Sequence, residues 1–115
     1  MLDYQWKIFW ANLDPTKDSE QSGIRPVIII SVEESNLFLP IIAVLPLTSF
    51  KPGRKIYPTE VFLLKNDTGL EKDSIAMAHQ IRVVSKERLL KQCGSIDSDD
   101  IKENIKNAVK VYLDL

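Results

Sequence analysis

One nearly unbroken run of apolar residues constrains the fold of this chain more than any other feature. Pro26 to Val32 has the sequence Pro-Val-Ile-Ile-Ile-Ser-Val, which is rich in β-branched side chains. Such residues favour extended structure, and a run without polar alternation is typical of a strand buried on both faces. Proline lacks the N–H that a strand ladder needs, so Pro26 is expected at the first position of this strand. The run predicts a central strand covered on both sides.

Further strands are predicted around this central one. Near the amino terminus Trp6, Ile8 and Trp10 alternate with Lys7 and Phe9, and a period of two suits a strand. Other strands are predicted over residues 40–48, 60–64 and 74–84, the last as one strand or a bent pair. The polar residues 12–22 are predicted to form a long, mobile loop, and residues 66–69 a turn. The sheet is expected to be mostly antiparallel.

Two helices are predicted near the carboxyl end. Ser85 and Gly94 would cap a short helix over residues 86–90. After Ser98, apolar residues recur at helical spacing and predict a second helix that packs on the sheet. The apolar residues of this second helix are Ile101, Ile105, Ala108, Val109 and Tyr112. Many strands followed by a terminal helix predict one α+β domain, small and barrel-like, over residues 1–115.

Size and charge exclude several classes of protein. A chain of 115 residues fits one domain with its own core. Its net charge of -1 gives no general attraction to polyanions, so a nucleic-acid site must be a local patch, for which residues 51–55 are the best basic loop. The longest apolar run falls short of the roughly 20 residues of a spanning helix, and no secretory leader is visible. A cytoplasmic location without a membrane anchor is expected.

The residues that bind metals and phosphates are sparse. There is one histidine and one cysteine, with no pair at metal-ligand spacing, so no metal site is expected. The four glycines are far apart and form no phosphate-binding loop, so no cofactor is expected. The single cysteine, Cys93, is expected to be a buried small hydrophobe and not a reactive thiol.

His79 has two interpretations. It alternates with Ile75, Met77, Ile81 and Val83, so in a regular strand it would share a face with apolar side chains as a partly buried, hydrogen-bonded residue. A bulge would instead turn the imidazole toward a cleft, where its pKa suits proton transfer. Both interpretations stay open at this point.

Arg25 and Thr48 also have two interpretations each. Arg25 stands between Gly23 and Pro26, on a backbone ordered by proline beside a flexible loop, which suits a binding site. The alternative is a surface arginine paired with Asp18 or Glu20. Thr48 ends an apolar strand, where a β-branched residue is common for packing reasons alone.

A series of short motifs in a fixed order changes the weight of these alternatives. The motifs are Asp14-Pro15, Ser19-Glu20-Gln21, Gly23-Ile24-Arg25-Pro26-Val27, Pro46-Leu47-Thr48-Ser49, Gly69-Leu70, Asp73-Ser74 and Gln80-Ile81-Arg82. In their order and spacing the chain resembles the MazF/PemK-type toxins over almost its full length. The resemblance implies an SH3-like, mostly antiparallel β-barrel of the CcdB/PemK type with a carboxy-terminal helix. It also implies a homodimer and a cognate antitoxin.

The resemblance further implies an activity and a set of site residues. The activity is that of the toxin in a type II toxin-antitoxin system, an endoribonuclease that cuts single-stranded messenger RNA at short sequences without a metal. Arg25 and Thr48 match the positions that the family uses for catalysis. The expected substrate-binding residues are Ser19, Glu20, Gln21, Ser49, His79 and Gln80. Some relatives carry an acidic residue where this chain has His79, which leaves the proton-transfer partner open.

Two alternatives from other classes remain. The same barrel resembles gyrase-poisoning toxins, which bind a protein target and cleave no RNA. A catalytically weakened relative that survives as a binding module is the second alternative. The Arg25 and Thr48 motifs favour the ribonuclease, because they match that branch of the family.

Overall fold

The computed structural model describes residues 3–115, so Met1 and Leu2, where the predicted domain begins, lie outside the described residues. Within that range every strand pairing is antiparallel, and the last element is a helix, as predicted. The strands are β1 Lys7–Asn12, β2 Ile24–Ile29, β3 Ile41–Ser49, β4 Glu60–Leu63, β5 Ser74–Met77, β6 Arg82–Ser85 and β7 Leu89–Ser95. The helices are α1 Glu33–Phe38, α2 Lys65–Thr68 and α3 Asp99–Leu113, with 3₁₀ turns at Ala78–Gln80 and Lys86–Arg88.

The long strand β3 joins the two halves of the sheet. The strand order is β4-β5-β3-β2-β1-β7, and β6 also pairs with β3. The first part of β3 pairs with β6 and β2, whereas its last three residues, Leu47 to Ser49, pair with β5. β3 thus lies between β5 and β2, and its pairing with β2 ends at Pro46, three residues before Ser49.

The central strand is buried on both faces, as its sequence predicts. Ile28 belongs to the apolar cluster that α3 covers, whereas Val27 and Ile29 belong to a second cluster on the other face. The strand is shorter than predicted and ends at Ile29. Pro26 is its third residue and not its first, because β3 pairs with β2 only from Val27 onward. The missing N–H of Pro26 is tolerated where β2 has a neighbour on one side only.

The predicted helix over residues 86–90 is wrong. Lys86–Arg88 form one 3₁₀ turn capped by Ser85, and the chain then continues as strand β7 along β1. Gly94 is not a helix cap, because it lies within β7 opposite Ile8. A Cβ at Gly94 would lie 2.5 Å from the carbonyl oxygen of Thr68, so close backbone approach explains the glycine.

The terminal helix agrees with the prediction in its start and in most of its buried face, although Tyr112 of that face is 47% exposed. The Ser98 side chain accepts a hydrogen bond from the backbone N–H of Ile101 and caps α3. Ile105 and Ala108 are buried against the sheet. The segment predicted as a turn over residues 66–69 is the one-turn helix α2, which ends at Gly69 in the left-handed region. Helix α1 was not predicted.

The predicted bent pair over residues 74–84 is confirmed as β5 and β6. Leu47 pairs with Ala76 and Val44 with Arg82, so three steps along β3 correspond to six steps along the opposite segment. The 3₁₀ turn Ala78–Gln80 accommodates the extra residues. His79 therefore lies in a turn and not in a regular strand.

Candidate active site

Arg25 and Thr48 face each other where β2 and β3 separate. Val27 pairs with Pro46, and continuing this register by two residues places Arg25 opposite Thr48 on the same face of the sheet. On its other edge β3 pairs with β5, where Thr48 is opposite Ile75. The pairing of β2 with β3 ends at Val27 and Pro46, and Arg25 and Thr48 both line the opening beyond it.

The opening is a pocket of about 350 Å³. Three of its lining residues were predicted as site residues, namely Arg25, Thr48 and Ser49. The other lining residues are Trp10, Ser22, Gly23, Ile24, Pro26, Leu47 and Ser74. Strands β1, β2, β3 and β5 therefore all contribute to one site.

The guanidinium of Arg25 is oriented by one hydrogen bond and is otherwise available. Its Nε donates to the backbone carbonyl of Ser22 at 2.9 Å. Within residues 3–115 its two terminal nitrogens make no hydrogen bond, and no carboxylate lies within 4 Å. The expected alternative, a pair with Asp18 or Glu20, does not form. The fork of terminal nitrogens remains free for two oxygens of one phosphate.

The loop that carries Ser22 is held by two side chains from the turn and strand opposite. Gln80 accepts a hydrogen bond from the backbone N–H of Gln21 and donates one to the carbonyl of Ser19, both at 3.2 Å. Arg82 donates to the carbonyl of Gln21 at 3.1 Å and to the side-chain oxygen of Gln80 at 3.1 Å. Gln21 is thus fixed immediately before Ser22, whose carbonyl orients Arg25.

The other end of this loop is fixed as well. The Asp14 side chain accepts a hydrogen bond from the N–H of Gly23 at 3.0 Å, and the N–H of Leu13 bonds to the carbonyl of Gly23 at 2.9 Å. Arg88 donates to the backbone carbonyls of Asn12 and Asp14. The polar loop predicted from the sequence is present, and hydrogen bonds tether it at both ends.

The remaining predicted residues lie at different distances from the pocket. Ser19 and Glu20 are exposed in the loop and do not line the pocket. The Glu20 carboxylate accepts a hydrogen bond from the backbone N–H of Lys17 at 2.7 Å. Gln21 is partly buried, and within the described chain its side-chain Oε1 is buried without a hydrogen-bond partner.

His79 is not brought to the pocket. Its Nδ1 lies 3.2 Å from the hydroxyl of Thr59, and its ring packs edge-on against Tyr112 of α3 with 6.5 Å between ring centres. The 3₁₀ turn directs the imidazole toward β4 and α3. The interpretation as a partly buried, hydrogen-bonded histidine therefore describes its geometry.

In the predicted basic loop, one positive charge is paired with a buried carboxylate. Both terminal nitrogens of Arg54 bond to the Glu60 carboxylate, at 2.8 and 2.7 Å, and the Glu60 side chain is only 1% exposed. These hydrogen bonds from Arg54 lower the pKa of Glu60, against the burial that would raise it. Lys51 and Lys55 stay exposed.

Sequence reasoning missed Trp10 and Ser74. Trp10 was assigned to the same strand face as the buried Ile8, yet its side chain is 40% exposed and borders the pocket. Ser74 is 6% exposed, and its hydroxyl donates to the carbonyl of Lys72 at 3.1 Å. The Asp73-Ser74 motif was the available signal for Ser74, whereas nothing in the local pattern distinguished Trp10.

Two general features concern the described part of the chain. No three side chains of His, Cys, Asp or Glu within residues 3–115 are grouped so that they could hold a metal ion. None of the helices in that range combines the length and the apolar character needed to cross a membrane.

When the chain is compared with known protein families, one family matches it. The family described as "PemK-like, MazF-like toxin of type II toxin-antitoxin system" matches residues 4–113. The chain is 35% identical over 114 residues to "Endoribonuclease MazF9" of Mycobacterium tuberculosis, covering 95% of this chain and 94% of that protein. It is 36% identical over 108 residues to "Endoribonuclease MazF" of Staphylococcus saprophyticus, covering 94% and 88%.

Solved structures are similar in fold. The structure of MazF (Form-I) from Deinococcus radiodurans has a TM-score of 0.81 at 22% identity and covers 100% of this chain and 99% of that one. An endoribonuclease in complex with its cognate antitoxin from Mycobacterial species has a TM-score of 0.78 at 18% identity and covers 99% and 97%. At these identities the similarity shows the fold, and it agrees with the predicted fold class.

Proposed function

Because the chain belongs to the PemK-like, MazF-like toxin family of type II toxin-antitoxin systems, we propose that it is an endoribonuclease that cleaves single-stranded messenger RNA. Two relatives that align along nearly the whole chain carry the name endoribonuclease, which favours this activity over gyrase poisoning. The observation that carries the proposal is the guanidinium fork of Arg25, which has no partner within residues 3–115 and lines one pocket with Thr48.

The attacking group in the proposed reaction comes from the RNA itself. RNA supplies its own nucleophile, the 2′-hydroxyl, which loses its proton to water and attacks the adjacent phosphorus. The bond to the 5′-oxygen breaks, and the leaving oxygen takes up one proton from water, so the step is balanced. The products are a 2′,3′-cyclic phosphate and a 5′-hydroxyl end. Negative charge develops on the non-bridging oxygens in the transition state, and donors fixed beforehand stabilise it best. Arg25 would bind two of these oxygens, and the Thr48 hydroxyl would donate to the same charge.

Charge stabilisation, and not proton transfer, is the role we assign to Arg25. A guanidinium has a pKa above about 12, so it is a poor proton donor or acceptor near neutral pH. Its orientation by the Ser22 carbonyl suits the assigned role, since preorganised charge avoids reorganisation during the reaction.

The loop residues are proposed to contact RNA beside the pocket. Ser19 and Glu20 are exposed there, and Ser49 lines the pocket itself. The buried Oε1 of Gln21 has no partner within the described chain, and a donor from a nucleotide would relieve the cost of that unsatisfied acceptor.

Two of the expected binding residues are reassigned. The side-chain amide of Gln80 is already hydrogen-bonded to the loop at Ser19 and Gln21, which supports a positioning role. We leave His79 out of the RNA site, because its ring contacts Thr59 and Tyr112 on another side of the fold.

We extend the partners of the relatives to this chain as part of the proposal. The solved structures include MazE-MazF from Deinococcus radiodurans and an endoribonuclease with its cognate antitoxin. A cognate antitoxin and a homodimer are therefore proposed, together with a cytoplasmic location where messenger RNA is found. Exposed apolar side chains such as Phe38, which is 88% exposed, favour at least one protein interface.

Cleavage of a long transcript in EDTA tests the proposed reaction. We expect discrete cuts whose ends are 2′,3′-cyclic phosphate and 5′-hydroxyl. Thr48→Val keeps the shape but removes the hydroxyl, and we expect a rate about 10 to 100 times lower, somewhat below the loss typical of an oxyanion donor. Thr59→Val is the matched control, because Thr59 lies outside the pocket.

Three results would contradict the proposal. Loss of cleavage in EDTA would indicate a metal requirement, and a Thr48→Val rate equal to wild type would remove Thr48 from the reaction. Binding of RNA without measurable turnover would instead support the catalytically weakened relative.

A further inference from the structure

A second cleft continues the Arg25 pocket along the surface. Its volume is about 510 Å³, and it shares Trp10, Pro26, Ser49 and Ser74 with the first pocket. Its far wall comes from the segment after α2 and from β7. Because four lining residues are common to both, one extended ligand could occupy the two cavities together.

An irregular pairing of β7 with β1 opens this cleft at Trp10. Phe9 pairs with Gln92 and Ala11 with Leu89, so two steps along β1 correspond to three along β7. Two residues of β7, Leu90 and Lys91, therefore lie opposite the single residue Trp10. Bulges re-aim side chains and often occur beside active sites. Trp10 lies beside this irregularity, is 40% exposed and lines both cavities.

The far wall carries two lysines without an acidic partner. Lys72 and Lys91 line the cleft from the segment after α2 and from β7. The ion pairs within residues 3–115 include neither of them. Glu71 also lines the cleft, so the lining charge is mixed with an excess of one positive charge. Cys93 lines the cleft too, and burial raises the pKa of its thiol, which keeps it protonated near neutral pH.

We propose that this cleft is a subsite for one further nucleotide of the RNA, outside the bond that is cut. The inference rests on the proposed function, because it extends the same substrate from the Arg25 pocket. Trp10 provides a surface on which any base can stack, and Lys72 and Lys91 neutralise its phosphate. Aromatic stacking combined with cations is how single strands are held without base-specific hydrogen bonds. The subsite therefore adds affinity for longer RNA and little sequence preference.

Two RNAs with the same mapped cleavage site test the subsite. The short RNA spans only the cut bond and its two nucleotides, and the long RNA continues for several nucleotides on both sides. For the double variant Lys72→Ala/Lys91→Ala we expect KM to rise about tenfold more for the long RNA than for the short one. The slope of log KM against log salt for the long RNA should fall by about 0.7, since one neutralised phosphate contributes about 0.7 on single strands.

Lys65→Ala/Lys110→Ala is the matched control, because both lysines are exposed and neither lines the cleft. It should behave as wild type with both RNAs. An equal rise of KM for the two RNAs in the cleft variant, or no rise, would overturn the subsite.

A binding measurement separates failure of the subsite from failure of the proposed activity. The chain has two tryptophans, so Trp6→Phe leaves Trp10 as the only indole reporter. With RNA carrying a 2′-deoxy sugar at the cut position, the long RNA should quench Trp10 fluorescence and bind about ten times tighter than the short one. Cleavage that fails in the wild-type protein would contradict the proposed function alone. Long and short RNA binding equally would overturn the subsite, whether or not cleavage occurs.

Stacking itself is tested with Trp10→Leu, which keeps an apolar side chain at the bulge. Its affinity for the long RNA should fall about tenfold, with an unchanged melting curve. Inorganic polyphosphate of equal charge should bind much more weakly than the long RNA in the Trp6→Phe protein. Equal binding of polyphosphate would indicate a general anion site and would contradict the base subsite.

Discussion

Arg25 and Arg54 are the same residue type, and each follows closely after a glycine in the sequence, yet their surroundings are opposite. Arg54 places both terminal nitrogens on the buried carboxylate of Glu60, at 2.8 and 2.7 Å. Arg25 donates only its Nε to a backbone carbonyl, and within residues 3–115 its terminal nitrogens have no partner. An arginine is available for a phosphate only where no carboxylate binds its fork. The difference separates a structural arginine from a candidate catalytic one.

The largest effect on activity is expected at Arg25. Arg25→Ala should lower kcat/KM on RNA by about 10² to 10³, the loss typical of removing one preformed donor to a developing charge. The melting temperature should stay close to wild type, because Arg25 makes one hydrogen bond at a partly exposed site. Initial rates and a thermal melt of the same preparation measure both. Full activity in the alanine variant would refute the assigned role.

The largest effect on stability is expected at Arg54. Arg54→Ala leaves the Glu60 carboxylate buried without its partner, which costs about 3–5 kcal/mol in a fully buried pair. Because the Arg54 side chain is 31% exposed, a loss of about 2 kcal/mol in unfolding free energy is expected. Urea unfolding measures it, and the rate per folded molecule should stay near wild type. The comparison would fail if Arg54→Ala abolished cleavage while leaving stability intact.

A smaller effect on stability is expected when pH changes the ionisation of Glu60. The pKa of Glu60 is lower in the folded than in the unfolded chain because of Arg54. Its stabilising contribution is therefore complete above the ordinary carboxyl pKa of about 4.3. The contribution is lost as pH falls through the lowered pKa of the folded chain. The stability difference between wild type and Arg54→Ala should therefore shrink as pH is lowered from about 6 to about 3.

Comparing the two proteins isolates Glu60 from other carboxyl groups. Burial acts against ionisation of Glu33, but hydrogen bonds from the Tyr4 backbone and the Asn36 side chain lower its pKa as well. Both proteins keep Glu33, so its effect cancels in the difference. A constant difference across this pH range would contradict the assignment to the Arg54 and Glu60 pair.

The smallest effect is expected at the loop that orients Arg25. Gln80→Ala removes the bonds to Ser19 and Gln21 but leaves Arg82 on the Gln21 carbonyl. Cleavage should fall roughly tenfold through kcat, because misplacing a catalytic group costs rate. The backbone N–H of Gln21 should lose protection from hydrogen exchange. Asn104→Ala, an exposed amide on α3, is the control. Slower cleavage with unchanged Gln21 protection would indicate direct RNA contact by Gln80.

The strengths and errors of the sequence predictions have physical causes. The run over residues 26–32 predicted the central strand, and Ser98 predicted the start of α3, because both depend on neighbours within a few residues. The helix over residues 86–90 was wrong because β1 needs a partner on its open side, and β7 supplies it from about 80 residues away. Tertiary pairing overrides weak local preference in such a segment.

The site predictions likewise include some that rest on local motifs and some that depend on tertiary contacts. Arg25 and Thr48 came from motifs that resemble a known family, and the register of β2 and β3 supports them by placing the pair in one pocket. The sequence indicated residues 51–55 as the best basic loop, yet Arg54 of this loop binds Glu60. Trp10 had the pattern of a core residue, yet it is 40% exposed beside the irregular pairing of β1 with β7.

The sequence by itself determined the strand-rich class, the central strand and the capped terminal helix, since local propensity and hydrophobic periodicity act over a few residues. The tertiary structure alone decided which arginine binds a carboxylate, where His79 points and which tryptophan reaches a cleft. Those features depend on carboxylates, turns and strands that are distant in sequence, and only folding brings them within hydrogen-bonding range.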